Sequence, residues 1–322
     1  MKELRAYYKL FDKLKRNIFV VIGFASLIYF ILIIYSDHNL LFITFQKIPF
    51  SVFISSFSLI IITISLKFLR WHIYLRQLKI VLDLKNSILI FLSGFIMSIS
   101  PGKIGELLKA FLIKDKFNIS KSRTLPIILA ERISEFIALI ILSTIGIIIY
   151  KFEVTNFVIP FLAIFLFLII GLKKNVRSKL LQKFVKSSFL KSRINKIEIF
   201  NSSMFELFKP IIFIKVQLIS LFAWVVEFYC FYIIIDSLGK NVDLVFTTFV
   251  YSVSMIIGAV SMLPGGIGTT EASLVYQLVQ SGITESNAIT TTFVIRIVTL
   301  WFSVILGFLA YIIYLKKNDK IL

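Results

Sequence analysis

The chain has 322 residues, 58% of them hydrophobic, with a mean hydropathy of +0.92, and runs this apolar exclude a soluble globular domain and define an integral membrane protein. The formal charge is +19, from 36 Lys and Arg against 17 Asp and Glu. The cations sit in short segments beside the apolar runs, so they read as cytoplasmic anchors facing anionic lipid and not as a nucleic-acid surface.

Residues 1–17 are polar and basic, and the apolar run Ile18–Tyr35 follows without a small-residue cleavage site, which predicts a retained span with the N-terminus in the cytoplasm. Phe50–Leu69 returns into Lys67, Arg70, Arg76, Lys79 and Lys85, a cytoplasmic flank. Ser87–Ser100 is too short for a comfortable span, and it meets Ser100-Pro101-Gly102-Lys103-Ile104-Gly105-Glu106 before a second short run, Leu107–Ile113. Both flanks are basic, so a re-entrant hairpin from the cytoplasmic face satisfies the positive-inside rule where a single crossing does not. Thr124–Tyr150 then crosses outward and Phe157–Leu172 crosses back.

Between Lys173 and Lys209 the charge is heavily basic, with an apolar stripe through Leu180, Leu181, Phe184, Val185, Phe189 and Leu190. This predicts an amphipathic helix on the cytoplasmic lipid surface, an ordinary solvated linker helix being the rival. Pro210–Leu238 crosses outward and holds Cys230, whose solitary place in an apolar run excludes an intramolecular disulfide and a thiolate metal cluster. His38 and His72 fall in no ligand-spaced motif, so neither metal nor other cofactor is expected. Asp83 and Asp115 read as solvated loop charges, and Trp71, Trp224 and Trp301 as interface or packing aromatics. Leu244–Leu263 enters, Leu263-Pro264-Gly265-Gly266-Ile267-Gly268 breaks it with Glu271 just beyond, and Ser273–Val279 leaves into a loop without a cation. Ala288–Leu315 returns to Lys316, Lys317 and Lys320.

The two Pro-Gly-x-Ile-Gly turns organise this plan. Arg132 lies 132 − 101 = 31 residues after the first proline and Arg296 lies 296 − 264 = 32 after the second, each inside the span that follows its hairpin. The expected fold is an all-α membrane protein with about six transmembrane helices and two re-entrant hairpins arranged as an inverted repeat. Its parts are an N-terminal basic segment and first span (1–49), a first repeat (50–150, hairpin 87–113), a span and basic linker (151–209), and a second repeat (210–322, hairpin 244–281). The chain would lie in the cytoplasmic membrane with both termini in the cytoplasm.

Such a repeat would bring the turns together near mid-depth, each opening a helix whose N–H groups suit an anionic group such as phosphate. Lys103 adds a cation in the first copy, where the second has Gly266. Arg132 and Arg296 lie about 12 Å inside their spans, a depth at which charge is costly unless paired or facing water. Glu131, Glu135 and Glu227 are buried partners for them, though Glu131, Arg132 and Glu135 could equally be a fixed ion-pair network holding helices together. Glu106 and Glu271 read either as site acids or as caps of the helix after the turn. Gly102, Gly105, Gly265, Gly266 and Gly268 serve turn geometry and close packing, which a site needs as well.

On these motifs, together with Ala130-Glu131-Arg132, the chain resembles the lysylphosphatidylglycerol synthase membrane-region family, also described as flippase-like or UPF0104 proteins. The resemblance covers most of the chain. It implies transport of a lipid with a charged head group between leaflets, without the soluble synthase domain that some members carry, since the longest hydrophilic segment is 173–209. Partners are then membrane lipids: an anionic or zwitterionic phospholipid, or a polyprenyl-phosphate-linked lipid. A homo-oligomer is left open. No nucleotide motif or Ser/His/Asp constellation is visible, so an enzyme is not expected. The rivals are a membrane-embedded enzyme or accessory subunit acting on a lipid-linked sugar, and a cation-coupled carrier of small solutes.

Overall fold

The computed structural model describes residues 38–100, 106–150, 194–239 and 242–318. The predicted spans Ile18–Tyr35 and Phe157–Leu172, the amphipathic stripe from Leu180 to Leu190, and the first turn with Gly102, Lys103 and Gly105 lie outside the described residues. Within them the chain is all-helical, with no strand. Helices α1 (His38–Gln46), α2 (Phe50–Gln77), α3 (Leu84–Ser93), α4 (Leu108–Phe117), α5 (Lys121–Tyr150) and α6 (Ile194–Leu207) are followed by α7 (Pro210–Asp236), α8 (Leu244–Val260), α9 (Thr269–Gln280), α10 (Glu285–Arg296) and α11 (Phe302–Asn318). A π-helical turn, Ile297–Trp301, joins α10 to α11.

Four stretches are long and apolar enough to cross a membrane: α2, α5, α7, and α10 with α11 as one unit of 33 residues. They correspond to four of the predicted spans. Between them stand two short apolar elements, α3 with its 3-10 continuation to Met97, and α8. At 17 residues α8 is about 26 Å long, short of a 30 Å hydrocarbon core.

Local chemistry sets the boundaries. Asp83 caps α3, accepting from the Asn86 backbone N–H at 3.2 Å, so it is not the solvated loop charge its surroundings suggest. Asp115 lies within α4. Asn118, with φ 54°, closes α4, and Pro210 opens α7 at the position where its missing N–H costs nothing. After α8 the break is made by Gly265 and Gly266, with φ 61° and 65°, values at which a Cβ is strained. A Cβ on Gly266 would also lie 3.1 Å from Gly258 Cα, so this turn folds directly onto α8.

The packing is reciprocal. Helix α2 lies along α7; α3 packs on α11, whereas α8 packs on α5. Each short element thus rests on the long span of the other half. Glycines permit both crossings: a Cβ on Gly307 of α11 would meet the Ile96 backbone at 2.5 Å, and one on Gly146 of α5 would meet Phe249 of α8 at 2.5 Å. Helix α2 runs eight residues past the predicted end at Leu69, because Trp71, Tyr74, Leu75 and Leu78 continue an apolar stripe at helical spacing and are all buried. Arg70 is therefore inside the protein and is not a cytoplasmic anchor.

Candidate functional site

The flanks of the two turns meet. Ile99, just before the first turn, packs with Ile267 of the second in one apolar cluster with Leu300 and Val304. Around this contact the structure gathers ten charged side chains, five cations and five carboxylates.

In the first half, Glu106 follows the turn and Arg132 lies 132 − 121 = 11 residues into α5, about 16 Å from its start. Arg132 donates to Glu106 Oε2 and to Glu135 Oε2, each at 2.8 Å. Arg70 bonds Glu135 Oε1 at 2.7 Å and the Ser220 hydroxyl at 3.0 Å. Lys109 bonds Glu131 at 2.5 Å, lies 3.5 Å from Glu106, and sits over the Trp71 and Phe91 rings at 4.9 and 5.5 Å. The predicted cluster Glu131, Arg132 and Glu135 is therefore one network with Glu106, Arg70 and Lys109.

The second half repeats the central pair. Arg296 lies 296 − 285 = 11 residues after the start of α10 and donates from Nε to Glu271 Oε1 at 2.6 Å. Its Nη2 donates to the Gly265 carbonyl at 2.7 Å. Each glutamate after a turn thus binds the arginine of the following span, 132 − 106 = 26 and 296 − 271 = 25 residues on. Glu271 also accepts from the Gly268 N–H at 2.7 Å. Its carboxylate occupies the N-terminus of α9, the place where the sequence suggested a phosphate. The two readings of Glu271, cap and site acid, are both met by one side chain. Gly268, with φ 91°, supplies that N–H.

Glu227 of α7 takes a third cation, Lys67, at 3.1 Å, and accepts from the Tyr251 hydroxyl at 3.3 Å. Lys67 lies 5.0 Å from the centroid of the Trp224 ring. Trp71 and Trp224 are thus buried aromatic faces for two lysines and do not form an interface belt.

Two adjoining cavities open among these groups. The larger, about 500 Å³, has apolar walls from Ile133, Phe136, Leu139 and Leu263 and ends on Arg132 and Glu135. The smaller, about 80 Å³, is lined by Lys67, Glu106, Arg132, Glu227, Gly265 and Arg296. Arg132, Glu135, Trp224, Met255 and Gly265 belong to both. Arg132 has a side chain 25% exposed, whereas those of Arg70, Lys109 and Arg296 are at most 3% exposed. Among the described residues no group of His, Cys, Asp and Glu has the arrangement of a metal site.

Of the sequence-predicted site residues, the structure thus brings together Glu106, Glu131, Arg132, Glu135, Glu227, Gly265, Gly266, Gly268, Glu271 and Arg296, while Gly102, Lys103 and Gly105 lie outside the described residues. Lys67, Arg70 and Lys109 were not anticipated. Lys109 carried a usable signal, a lysine inside the apolar run Leu107–Ile113; Arg70 carried one in the apolar stripe that continues past it.

The family model described as the lysylphosphatidylglycerol synthase TM region matches residues 18–307. Among similar proteins are the UPF0104 membrane protein MJ1078 of Methanocaldococcus jannaschii, 26% identical over 70% of this chain and 99% of its own length, and a UPF0104 membrane protein of Methanothermobacter thermautotrophicus, 24% identical over 74% and 78%. A second M. jannaschii protein, MJ1595, is 25% identical over 78% of this chain and 81% of its own. With the match spanning both halves and the turns, arginines and glutamates assembled into one site, the chain belongs to the lysylphosphatidylglycerol synthase TM region family.

Proposed function

We propose that this chain is a lipid transporter that moves a phospholipid, or a polyprenyl-phosphate-linked lipid, between the leaflets of the cytoplasmic membrane, with both termini in the cytoplasm. The observation that carries the reading is the cavity of about 500 Å³ whose apolar walls lead to Arg132 and Glu135. Acyl or prenyl chains suit such walls, and a phosphate suits a guanidinium that is partly exposed while its neighbours are sealed. The chain would act without making or breaking a covalent bond.

In this reading the halves are an inverted repeat, α2 to α5 and α7 to α11, with α3–α4 and α8–α9 entering as hairpins from opposite faces. Three observations support it: the reciprocal packing of α3 on α11 and α8 on α5, the equal depth of Arg132 and Arg296, and the matching glutamate–arginine pairs. The test is exchange of a tail-labelled lipid in vesicles holding the purified chain. Exchange above protein-free vesicles is expected, with a loss of about tenfold or more in Arg132→Ala, the size of a lost charge-assisted contact. Unchanged exchange in that variant would remove the arginine from the pathway.

A further inference from the structure

The wall shared by the two cavities combines two properties. Each cation on it already has a carboxylate: Arg132 has Glu106 and Glu135, Lys67 has Glu227, and Arg296 has Glu271. Two donors beside them lack an acceptor, because Arg132 Nε–H and the Trp224 indole N–H are buried without a hydrogen-bond partner among the described residues. Trp224 is 2% exposed and lines both cavities. Buried donors left open in this way mark a place where an acceptor comes from elsewhere.

A phosphate that reaches this wall meets Arg132 first, since the other arginines are sealed. Taking hydrogen bonds from Arg132 draws it away from Glu106 or Glu135 and leaves a carboxylate without its cation, which is costly within a membrane. A head group that carries an ammonium next to its phosphate replaces the cation it displaces. The chain itself shows how an ammonium is received here. Lys67 Nζ has a carboxylate oxygen of Glu227 at 3.1 Å and the face of Trp224 at 5.0 Å, and Lys109 repeats the arrangement with Glu131 and Trp71.

We infer that the cavity selects a zwitterionic phospholipid head group bearing a primary ammonium, with its phosphate on Arg132 and Trp224 and its ammonium on the Glu135 and Glu106 carboxylates that Arg132 releases. A primary ammonium carries three N–H donors and can replace the two guanidinium bonds, which a quaternary ammonium cannot do. The inference rests on the transport reading for its biological sense, and on the charge pairing alone for its head-group choice.

The full chain in vesicles, given tail-labelled phosphatidylethanolamine or phosphatidylglycerol, reports exchange through the access of a membrane-impermeant reductant. Phosphatidylethanolamine is expected to exchange about tenfold faster, the ratio set by one charge-assisted hydrogen bond. Glu135→Gln should bring the ratio toward one. Trp224→Phe, which keeps the ring and removes the donor, should slow both lipids alike. Phosphatidylglycerol moving as fast as phosphatidylethanolamine, or a ratio untouched by Glu135→Gln, would overturn the inference. Binding of the two lipids to the detergent-purified chain, measured by native mass spectrometry, separates the two levels. Preferential binding of phosphatidylethanolamine with no exchange would sink transport and leave the head-group choice standing, whereas exchange without preference would do the reverse. Soluble phosphoethanolamine should compete only weakly; competition equal to that of the lipid would place a free metabolite in the cavity instead.

Discussion

Glu271 and Arg296 are the most deeply buried pair of the site, with side chains 1% and 3% exposed, joined at 2.6 Å. Glu271→Gln keeps shape and an oxygen that can still cap the Gly268 N–H, but it removes the charge facing Arg296. An uncompensated charge then remains inside the protein, at a cost of about 3 kcal/mol or more. Glu271→Ala also loses the cap, adding about 1 kcal/mol. Equilibrium unfolding in mixed dodecylmaltoside and sodium dodecyl sulfate micelles, followed by tryptophan fluorescence, should therefore rank wild type, Gln and Ala in falling order. Glu206→Gln is the internal comparison, because its pair with Lys209 is exposed by 40% and 49% and should leave the midpoint unchanged. A Glu271→Gln midpoint equal to that of the wild type would refute the claim that the pair is desolvated and unshared.

Gly266→Ala should destabilise by about 1–3 kcal/mol, since it adds backbone strain at φ 65° to a clash with Thr270 Oγ1 at 2.6 Å. Gly282→Ala, strained at φ 88° with open space around it, should cost less in the same unfolding assay. Asp83, outside the spans, has its carboxyl held below the usual 3.8, first by the Asn86 side chain at 2.5 Å. A depressed folded pKa means that its contribution is present above 3.8 and is lost as pH falls through the folded value. Amide exchange in the first turn of α3 should accelerate on that acid limb, and Asp83→Asn should remove the pH dependence.

Much of this fold is legible in composition, because a run such as Pro210–Leu238 has few ways to satisfy its backbone in lipid other than as a helix. The glutamate–arginine pairs are legible for a similar reason, since a charge deep in an apolar run needs a partner and the turns supply the nearest acids. Lys67 and Arg70 were hidden by their position at the end of an apolar run, where a cation normally reaches water; only the tertiary contact with α7 and α5 shows that they do not. The meeting of Ile99 with Ile267 depends on packing across 168 residues of sequence (267 − 99), which no local pattern encodes. Glu271 was half legible: the capping position is a local rule, whereas the reach to Arg296 is set by how α9 folds against α10.

The most direct measurement asks whether lipid passes through the cavity described here. Met262 stands in its wall and is 64% exposed, while the chain's single cysteine, Cys230, is buried. A Met262→Cys protein in vesicles, labelled with a bulky maleimide, fills the cavity mouth from one position. The account predicts that labelling abolishes lipid exchange, and that the same label on Ile211→Cys, 68% exposed on α7 and away from the cavity lining, leaves exchange intact. Exchange that continues at full rate with Met262→Cys fully labelled would contradict it.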